Sequence, residues 1–166
     1  MKNTGIVRSV DDLGRIVIPK EIRRTLHIRE GDAMEIWLGE NNEVTFRKYN
    51  EADCFKKEFT AAVASLRAVY PDLTFMVCDR DGEPLFPKHI DTPEIVDTIL
   101  RAVDARSWQR NIYKDSLPVE AQPVIVTGEV VAVFVAVCCK TADVPVFEEA
   151  TKAMTVQVNL FKQIIE

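Results

Sequence analysis

The chain has 166 residues, of which 47% are hydrophobic and 28% are charged, and its formal net charge at pH 7 is −5. This composition is typical of a globular protein and excludes a disordered chain, a collagen-like repeat and a transmembrane bundle. The acidic total, taken alone, also argues against a nucleic-acid partner.

Neither end of the chain nor its interior carries a membrane signal. The longest apolar run, residues 130–139, has ten residues, whereas a membrane helix needs about 20. The first residues lead into no apolar segment of the kind found in signal peptides. We therefore expect a cytoplasmic protein with four reduced cysteines. None of these cysteines lies in a CxxC or Cys/His spacing, so we expect no metal site.

The charge is unevenly distributed along the chain. Residues 1–29 carry seven basic and three acidic groups, whereas residues 51–166 carry 12 basic and 18 acidic groups. Five of the seven N-terminal cations are arginine, the residue best suited to bidentate contacts with phosphate and guanine. The net charge therefore hides a basic N-terminal segment, which is either a nucleic-acid contact surface or a solvated face.

The first 50 residues predict a small β-rich domain. Alternating, β-branched segments indicate four short strands, at residues 4–10, 15–18, 33–38 and 44–49. A unit of this size has a marginal core and exposed strand edges. We therefore expect an obligate dimer in which two copies close one barrel-like core.

One short helix is predicted between the second and third strands. Pro19 precedes residues 20–26, which span about two turns. Ile22 and Leu26 share one face of this helix, while Arg23 and Arg24 point away from it.

Residues 51–54 are typical of a short linker, and residues 55–166 predict an α+β domain. Apolar stripes indicate helices over residues 55–70, after Thr92 and after Pro145. Strands are indicated at residues 73–78, 83–86, 109–113, 123–127 and 130–139. The last of these is apolar on both faces, so it should be the central strand of an antiparallel sheet with flanking helices.

Four blocks in the first segment occur together and in order: TGIVR at residues 4–8, DLGRIVIP at 12–19, EIRRTL at 21–26 and GDAMEI at 31–36. With these blocks, residues 1–49 resemble the AbrB family of bacterial transition-state regulators. The second segment is similar to a GAF domain in length and element order. The fold expected from these resemblances is a two-domain α+β protein: a dimeric swapped-hairpin β-barrel at residues 1–50 and a GAF-like domain at 55–166.

The AbrB resemblance implies a bacterial, nucleoid-associated protein that binds double-stranded DNA as a dimer and regulates sporulation or growth-transition genes. It implies that Arg8, Arg15, Arg23 and Arg24 contact the DNA. Lys20 adds an auxiliary phosphate contact, whereas Lys2 and Arg29 are either further phosphate contacts or surface charges.

The GAF resemblance implies a small-molecule sensor, although the sequence offers no cofactor anchor. Trp108, Arg110 and Tyr113 either line a pocket or pack in the core. The near-heptad apolar stripe from Phe147 to Ile165 either belongs to the core or joins subunits. The second alternative would turn a dimer into a tetramer.

Two other classes of protein are weighed against a regulator. AbrB-like folds also occur in antitoxins, which bind DNA and a toxin protein, but those chains usually end in a disordered acidic tail. The periodic second segment here predicts a folded domain. An enzyme is disfavoured because no Ser-His-Asp, Cys-His or paired-carboxylate arrangement stands out, and Asp79 and Asp81 flank Gly82 as turn residues do.

Overall fold

The computed structural model describes residues 4–86, 92–113, 117–140 and 143–165. Lys2 lies outside the described residues. The chain divides into two compact units, Met1–Tyr49 and Asn50–Glu166. No helix within the described ranges combines the length and the apolar character needed to span a bilayer.

The N-terminal unit contains one short helix and one hairpin. Helix α1 is Lys20–Thr25, and strands β1 (Met34–Leu38) and β2 (Val44–Lys48) pair antiparallel. The connection between the strands includes Asn41 and Asn42 in the left-handed region, at φ 62° and 61°. Asparagine tolerates that region better than most residues, so the hairpin forms where the sequence predicts it.

The two strands predicted at residues 4–10 and 15–18 form no ladder in the single chain. A strand requires a neighbour whose backbone groups complete its hydrogen bonds. Within the described residues of this unit, the β1–β2 pair is the only ladder. The strand prediction is therefore wrong for one chain taken alone.

No residue from 4 to 49 is buried. Thirteen large hydrophobic side chains of this unit are between 38% and 85% exposed. They are Ile6, Val7, Val10, Leu13, Ile16, Val17, Leu26, Ile36, Trp37, Leu38, Val44, Phe46 and Tyr49. The hydrophobic effect cannot hold such a unit together without further burial of these side chains.

The second unit is a five-stranded antiparallel sheet between helices. Its elements in chain order are α2 (Lys56–Val69), β3 (Leu73–Cys78), β4 (Pro84–Phe86), α3 (Pro93–Ala105), β5 (Gln109–Tyr113), β6 (Leu117–Val126), β7 (Glu129–Cys138) and α4 (Val144–Ile165). The strand order is β4-β3-β7-β6-β5, with every pair antiparallel. Strand β7 is therefore central, as its apolar faces predict.

Each face of the sheet has its own core. On one face Phe59 of α2, Phe134 of β7 and Phe161 of α4 meet, with ring centroids 5.0–5.7 Å apart. On the other face Ile99 of α3 is fully buried with Val133 and Val135. The second unit is thus a three-layer α+β structure with a core of its own.

Two local features of this unit differ from the sequence prediction. Residues 51–54, predicted as a linker, lie in a 3-10 helix, Glu51–Phe55. The Asn50 side chain accepts a bond from the Ala52 N–H (3.1 Å), and Ala52 is completely buried. Strand β6 begins at Leu117 rather than residue 123, because its polar residues are hydrogen-bonded inside the fold.

Candidate nucleic-acid interface

All five cations predicted to bind DNA lie on the N-terminal unit and are exposed: Arg8, Arg15, Lys20, Arg23 and Arg24. Helix α1 carries three of them. The spacing of Lys20, Arg23 and Arg24 places them on one face, opposite the half-buried Ile22. None of these three has a side-chain hydrogen bond or ion pair among the described residues. The helix therefore presents an uncompensated positive face.

The helix ends one residue earlier than predicted. Leu26 is the C-cap and is 53% exposed, so it does not share a buried face with Ile22. His27 follows in the left-handed region, at φ 51°. The chain reverses there, and the Ile28 N–H donates to the Arg23 carbonyl at 2.8 Å.

A tight turn presents Arg15. Its backbone is closed by the Asp11 N–H, which donates to the Arg15 carbonyl, and by the Gly14 N–H, which donates to the Asp11 carbonyl, both at 3.0 Å. Gly14 has φ +76°, a conformation that glycine adopts without steric cost. Asp11 Oδ1 accepts bonds from the backbone N–H of Leu13 (3.1 Å) and of Arg15 (2.8 Å).

The same aspartate also contacts the arginine side chain. Arg15 Nε donates to Asp11 Oδ2 at 2.8 Å. The hydrogen bond from the Arg15 backbone N–H has the largest effect on the pKa of Asp11, and the bond from the Arg15 side chain the next largest. Both hold this pKa below its ordinary value. Arg15 remains 69% exposed at its side chain, so the guanidinium is oriented without being covered.

The other N-terminal arginines have simpler surroundings. Arg8 Nη1 donates to the neighbouring Val7 carbonyl at 2.9 Å. Among the four predicted arginines, Arg15 alone has a carboxylate partner in the described part of the chain.

An ion pair fixes the loop that follows α1. Lys48 Nζ lies 3.1 Å from Asp32 Oδ2 and 3.2 Å from the His27 carbonyl oxygen. Asp32 Oδ2 also accepts the Arg29 N–H at 2.8 Å. Sequence analysis predicted neither Asp32 nor this contact. The Lys48 side chain thus joins the end of β2 to the loop that leaves the basic helix.

Two of the three residues considered for a pocket in the second unit have described side chains, Trp108 and Arg110. Arg110 pairs with Glu120 (Nε to Oε2, 2.9 Å) and with Glu148 (2.7 Å), and lies 5.6 Å from the ring centroid of Phe147. Trp108 is 62% exposed, and the Tyr113 side chain lies outside the described residues. A shallow cavity of about 250 Å³ lies elsewhere, between Arg80, Val103, Asp104, Arg106, Glu129 and Val130.

Comparison with known proteins concerns mainly the N-terminal unit. Residues 7–52 match a family model described as antidote-toxin recognition MazE, bacterial antitoxin. The Bacillus subtilis protein AbrB, a transition state regulatory protein, is 57% identical over 49 residues, which are 30% of this chain and 50% of AbrB. The solution structure of the N-domain of the transcription factor AbrB is 56% identical, covering 30% of this chain and 94% of that one with a TM-score of 0.28. The N-terminal unit is a MazE/AbrB-type domain.

The similarity of another relative extends beyond this AbrB-type unit. Stage V sporulation protein T of Bacillus subtilis is 51% identical over 86 residues, which are 49% of this chain and 45% of that protein. Because the AbrB-type unit ends at Tyr49, this match must continue into the second unit. The chain spans about half the length of the curated relatives that it matches.

The structural roles of two residues in the AbrB-type unit were not predicted from the sequence. Asp11 accepts the N–H groups that order the turn before Arg15, and an aspartate shortly before a glycine is a general signal for such a turn. Asp32 and Lys48 are 16 positions apart in sequence, so no local pattern reveals their pairing.

Proposed function

We propose that this chain is a DNA-binding transcriptional regulator. The contacts to duplex DNA come from Arg8, Arg15, Arg23 and Arg24, with Lys20 as an auxiliary phosphate contact. The observation that carries this proposal is the exposed, uncompensated cation face of α1 in a unit 56% identical to the N-terminal DNA recognition domain of AbrB.

The binding unit is proposed to be a dimer with a swapped-hairpin barrel. Thirteen exposed large hydrophobic side chains and no buried residue leave the single unit without a core. Residues 4–10 and 15–18 have the alternation of strands but lack ladder partners in one chain. A second copy supplies both the missing strands and the burial, and it doubles the basic set with two-fold symmetry.

Phosphate contacts supply most of the affinity in this proposal. Binding then weakens steeply with salt because each neutralised phosphate releases counterions. Few side chains near the arginines are suited to reading base edges, so specificity depends in large part on DNA shape and deformability. The regulated genes are proposed to be those of sporulation or growth transition, from the similarity to stage V sporulation protein T.

The proposal is tested by measuring affinity for AT-rich promoter duplexes by mobility shift. Arg23→Ala should weaken binding and should flatten the dependence of log K on log salt by about 0.9 for each copy of the residue. Arg101→Ala in α3 is the matched control, because Arg101 is also exposed and is paired with Asp97 at 2.9 Å. Wild-type affinity in Arg23→Ala would contradict the assignment of α1 as a DNA contact.

The second unit is proposed to be a GAF-like, non-enzymatic domain for ligand sensing, oligomerisation or both. Its length and element order support the GAF likeness. The apolar stripe that begins at Phe147 is buried in the core of this unit as far as Phe161, so it belongs to the core. The outer α4 residues Val156, Leu160 and Ile164, in contrast, are 58%, 45% and 67% exposed. Their i, i+4, i+8 spacing gives one apolar stripe, which supports a second subunit contact and therefore a tetramer.

A second candidate function follows from the description of the matching family model, which is that of a bacterial antitoxin. In that case the chain would bind a toxin protein as well as DNA. The independent core of Asn50–Glu166 does not resemble a disordered toxin-binding tail. Co-purification of a stable protein partner at fixed stoichiometry would favour this candidate over the regulator alone.

A further inference from the structure

We propose that Asp11 is a positioning residue that sets the DNA specificity of Arg15. Its carboxylate holds the guanidinium through Nε and thereby aims the two terminal nitrogens at the DNA. This inference rests on the proposed function, since it assigns a role within the same basic surface.

The two oxygens of Asp11 have different partners. Oδ1 accepts the backbone N–H groups of Leu13 and Arg15 and so shapes the turn, whereas Oδ2 accepts only the Nε–H of Arg15 from the described residues. Turn formation and side-chain orientation are therefore separable functions of one carboxylate. A substitution can remove the second while preserving the first.

The geometry of the contact decides which donors remain for a ligand. Guanidinium has five N–H donors in a planar fork, and the Asp11 contact uses the one on Nε. The Nη1 and Nη2 groups of Arg15 have no partner among the described residues. Their paired edge is the one suited to bidentate contact with phosphate or with guanine O6 and N7.

Two physical effects of Asp11 act in the same direction on specificity. A side chain that is already oriented loses less conformational entropy when it binds a DNA site whose acceptors match that orientation. A carboxylate beside the contact repels phosphate on any duplex, so it weakens binding wherever Arg15 gains no aligned contact. Both effects increase the ratio of affinity for a preferred site to affinity for random DNA.

Asp11→Asn is the informative variant. The amide oxygen still accepts the Leu13 and Arg15 N–H groups, but the amide nitrogen cannot accept from Arg15 Nε. Asp12→Asn is the matched control: it removes the same charge one residue away, and Asp12 has no side-chain bond among the described residues.

The probes are a 30-base-pair duplex selected from a random pool by the wild-type protein and a scrambled duplex of the same composition. Asp11→Asn should lower the ratio of the two affinities about twofold to fivefold, the size expected for an exposed charged contact. Asp12→Asn should change both affinities together and leave the ratio unchanged. In an Arg15→Ala background, Asp11→Asn should have no further effect on the ratio.

The outcomes separate this inference from the proposed function. If Asp11→Asn matches wild type or Asp12→Asn in its ratio while Arg15→Ala and Arg23→Ala weaken binding, the positioning role is overturned and DNA binding stands. If Asp11→Ala lowers the ratio but Asp11→Asn does not, Asp11 only shapes the turn. If the wild-type protein selects no duplex from the pool, the inference and the proposed function fail together.

Discussion

Polar side chains organise the AbrB-type unit at the scale of single residues. Asp11 closes the turn that presents Arg15, and Asp32 with Lys48 ties the loop after the basic helix to the hairpin. Both contacts fix local geometry in a chain segment in which no residue from 4 to 49 is buried as a whole. Arg15 is therefore oriented by a hydrogen-bonded turn and an ion pair, whereas the large apolar side chains of this unit remain exposed.

In the second unit a buried polar cluster joins the sheet to α4. Glu120 and Gln122 are 4% and 6% exposed. Gln122 Nε2 donates to Glu120 Oε1 at 2.6 Å and to Thr155 Oγ1 at 2.8 Å, while Arg110 binds the other oxygen of Glu120. Every member has a partner, which is the condition under which such a cluster stabilises a fold.

Replacing Arg110 should reveal the free-energy cost of burying the Glu120 carboxylate. Arg110→Ala leaves the Glu120 carboxylate buried without its counter-charge, which for a fully buried pair costs about 3–5 kcal/mol. Because the Arg110 side chain is 34% exposed, we expect a loss of about 2 kcal/mol in the free energy of unfolding of the second unit. Urea unfolding followed by far-UV circular dichroism measures this loss.

Two further variants make that experiment decisive. Arg101→Ala breaks the exposed pair with Asp97 and should cost under about 1 kcal/mol. Adding Glu120→Gln to Arg110→Ala removes the buried charge and should restore part of the stability. A double variant less stable than Arg110→Ala would show that the cost comes from lost packing on Phe147 and not from the unpaired charge.

At the scale of elements, the accuracy of sequence-based prediction depends on where the partner of each element lies. Helices α2 and α4 and strand β7 follow their apolar patterns because the surfaces they bury belong to the same unit. The segments 4–10 and 15–18 are similarly rich in β-branched residues, yet no described residue of one chain forms a ladder with them. Sequence alternation predicts the tendency to form a strand but does not identify the neighbour.

The start of β6 shows a second limit. Residues 117–122 include Pro118, Glu120 and Gln122, which lower the expectation of a buried strand. Their burial is made possible by Arg110 on β5 and Thr155 on α4, 10 and 33 positions away from their partners. Contacts of this range leave no local pattern, so only the structure reveals them. The exposure of the α1 cations follows from the local helix pattern and was therefore predictable. The ion pair between Asp32 and Lys48 joins residues far apart in sequence and was not.

Helix α4 provides a prediction about assembly. If the stripe of Val156, Leu160 and Ile164 joins subunits, Leu160→Gln with Ile164→Gln should convert a tetramer into a dimer. The substitutions place uncharged amides in an apolar contact and leave the buried face of α4 unchanged. Light scattering coupled to size exclusion measures the mass directly.

The control for α4 lies on the same helix. Asn159 is exposed but lies beside the stripe, so Asn159→Gln should leave the mass unchanged. A wild-type chain that remains a dimer at all concentrations would contradict a second subunit contact. Equal masses for the wild type and the double variant would show that the tetramer, if present, is held elsewhere.

At the scale of the whole molecule, charge is separated along the chain. Residues 1–29 have an excess of four positive charges and residues 51–166 an excess of six negative charges. The total of −5 is the sum of these two opposite excesses and of the −3 carried by residues 30–50, so it gives no information about the partner of either part. If the first unit binds DNA as proposed, the acidic unit covalently joined to it repels phosphate without distinguishing between sequences.

Removing the acidic unit should therefore raise affinity for random duplex DNA, most strongly at low salt. A chain of residues 1–50 is a suitable comparison because the first compact unit ends at Tyr49. It is best compared with the 166-residue chain that carries Leu160→Gln and Ile164→Gln. If α4 joins subunits as proposed, both species are then dimers and avidity does not differ. The Debye length falls from about 30 Å at 0.01 M salt to about 8 Å at 0.15 M. Fluorescence anisotropy should accordingly show a difference in affinity between the two species that decreases as salt rises. At high salt the two slopes of log K against log salt should be similar, because the same arginines contact the phosphates in the proposal.

A difference in affinity that persists unchanged at 0.5 M salt would mean that the second unit obstructs DNA sterically. Equal affinities at every salt concentration would mean that the charge of the second unit is too far from the DNA to act.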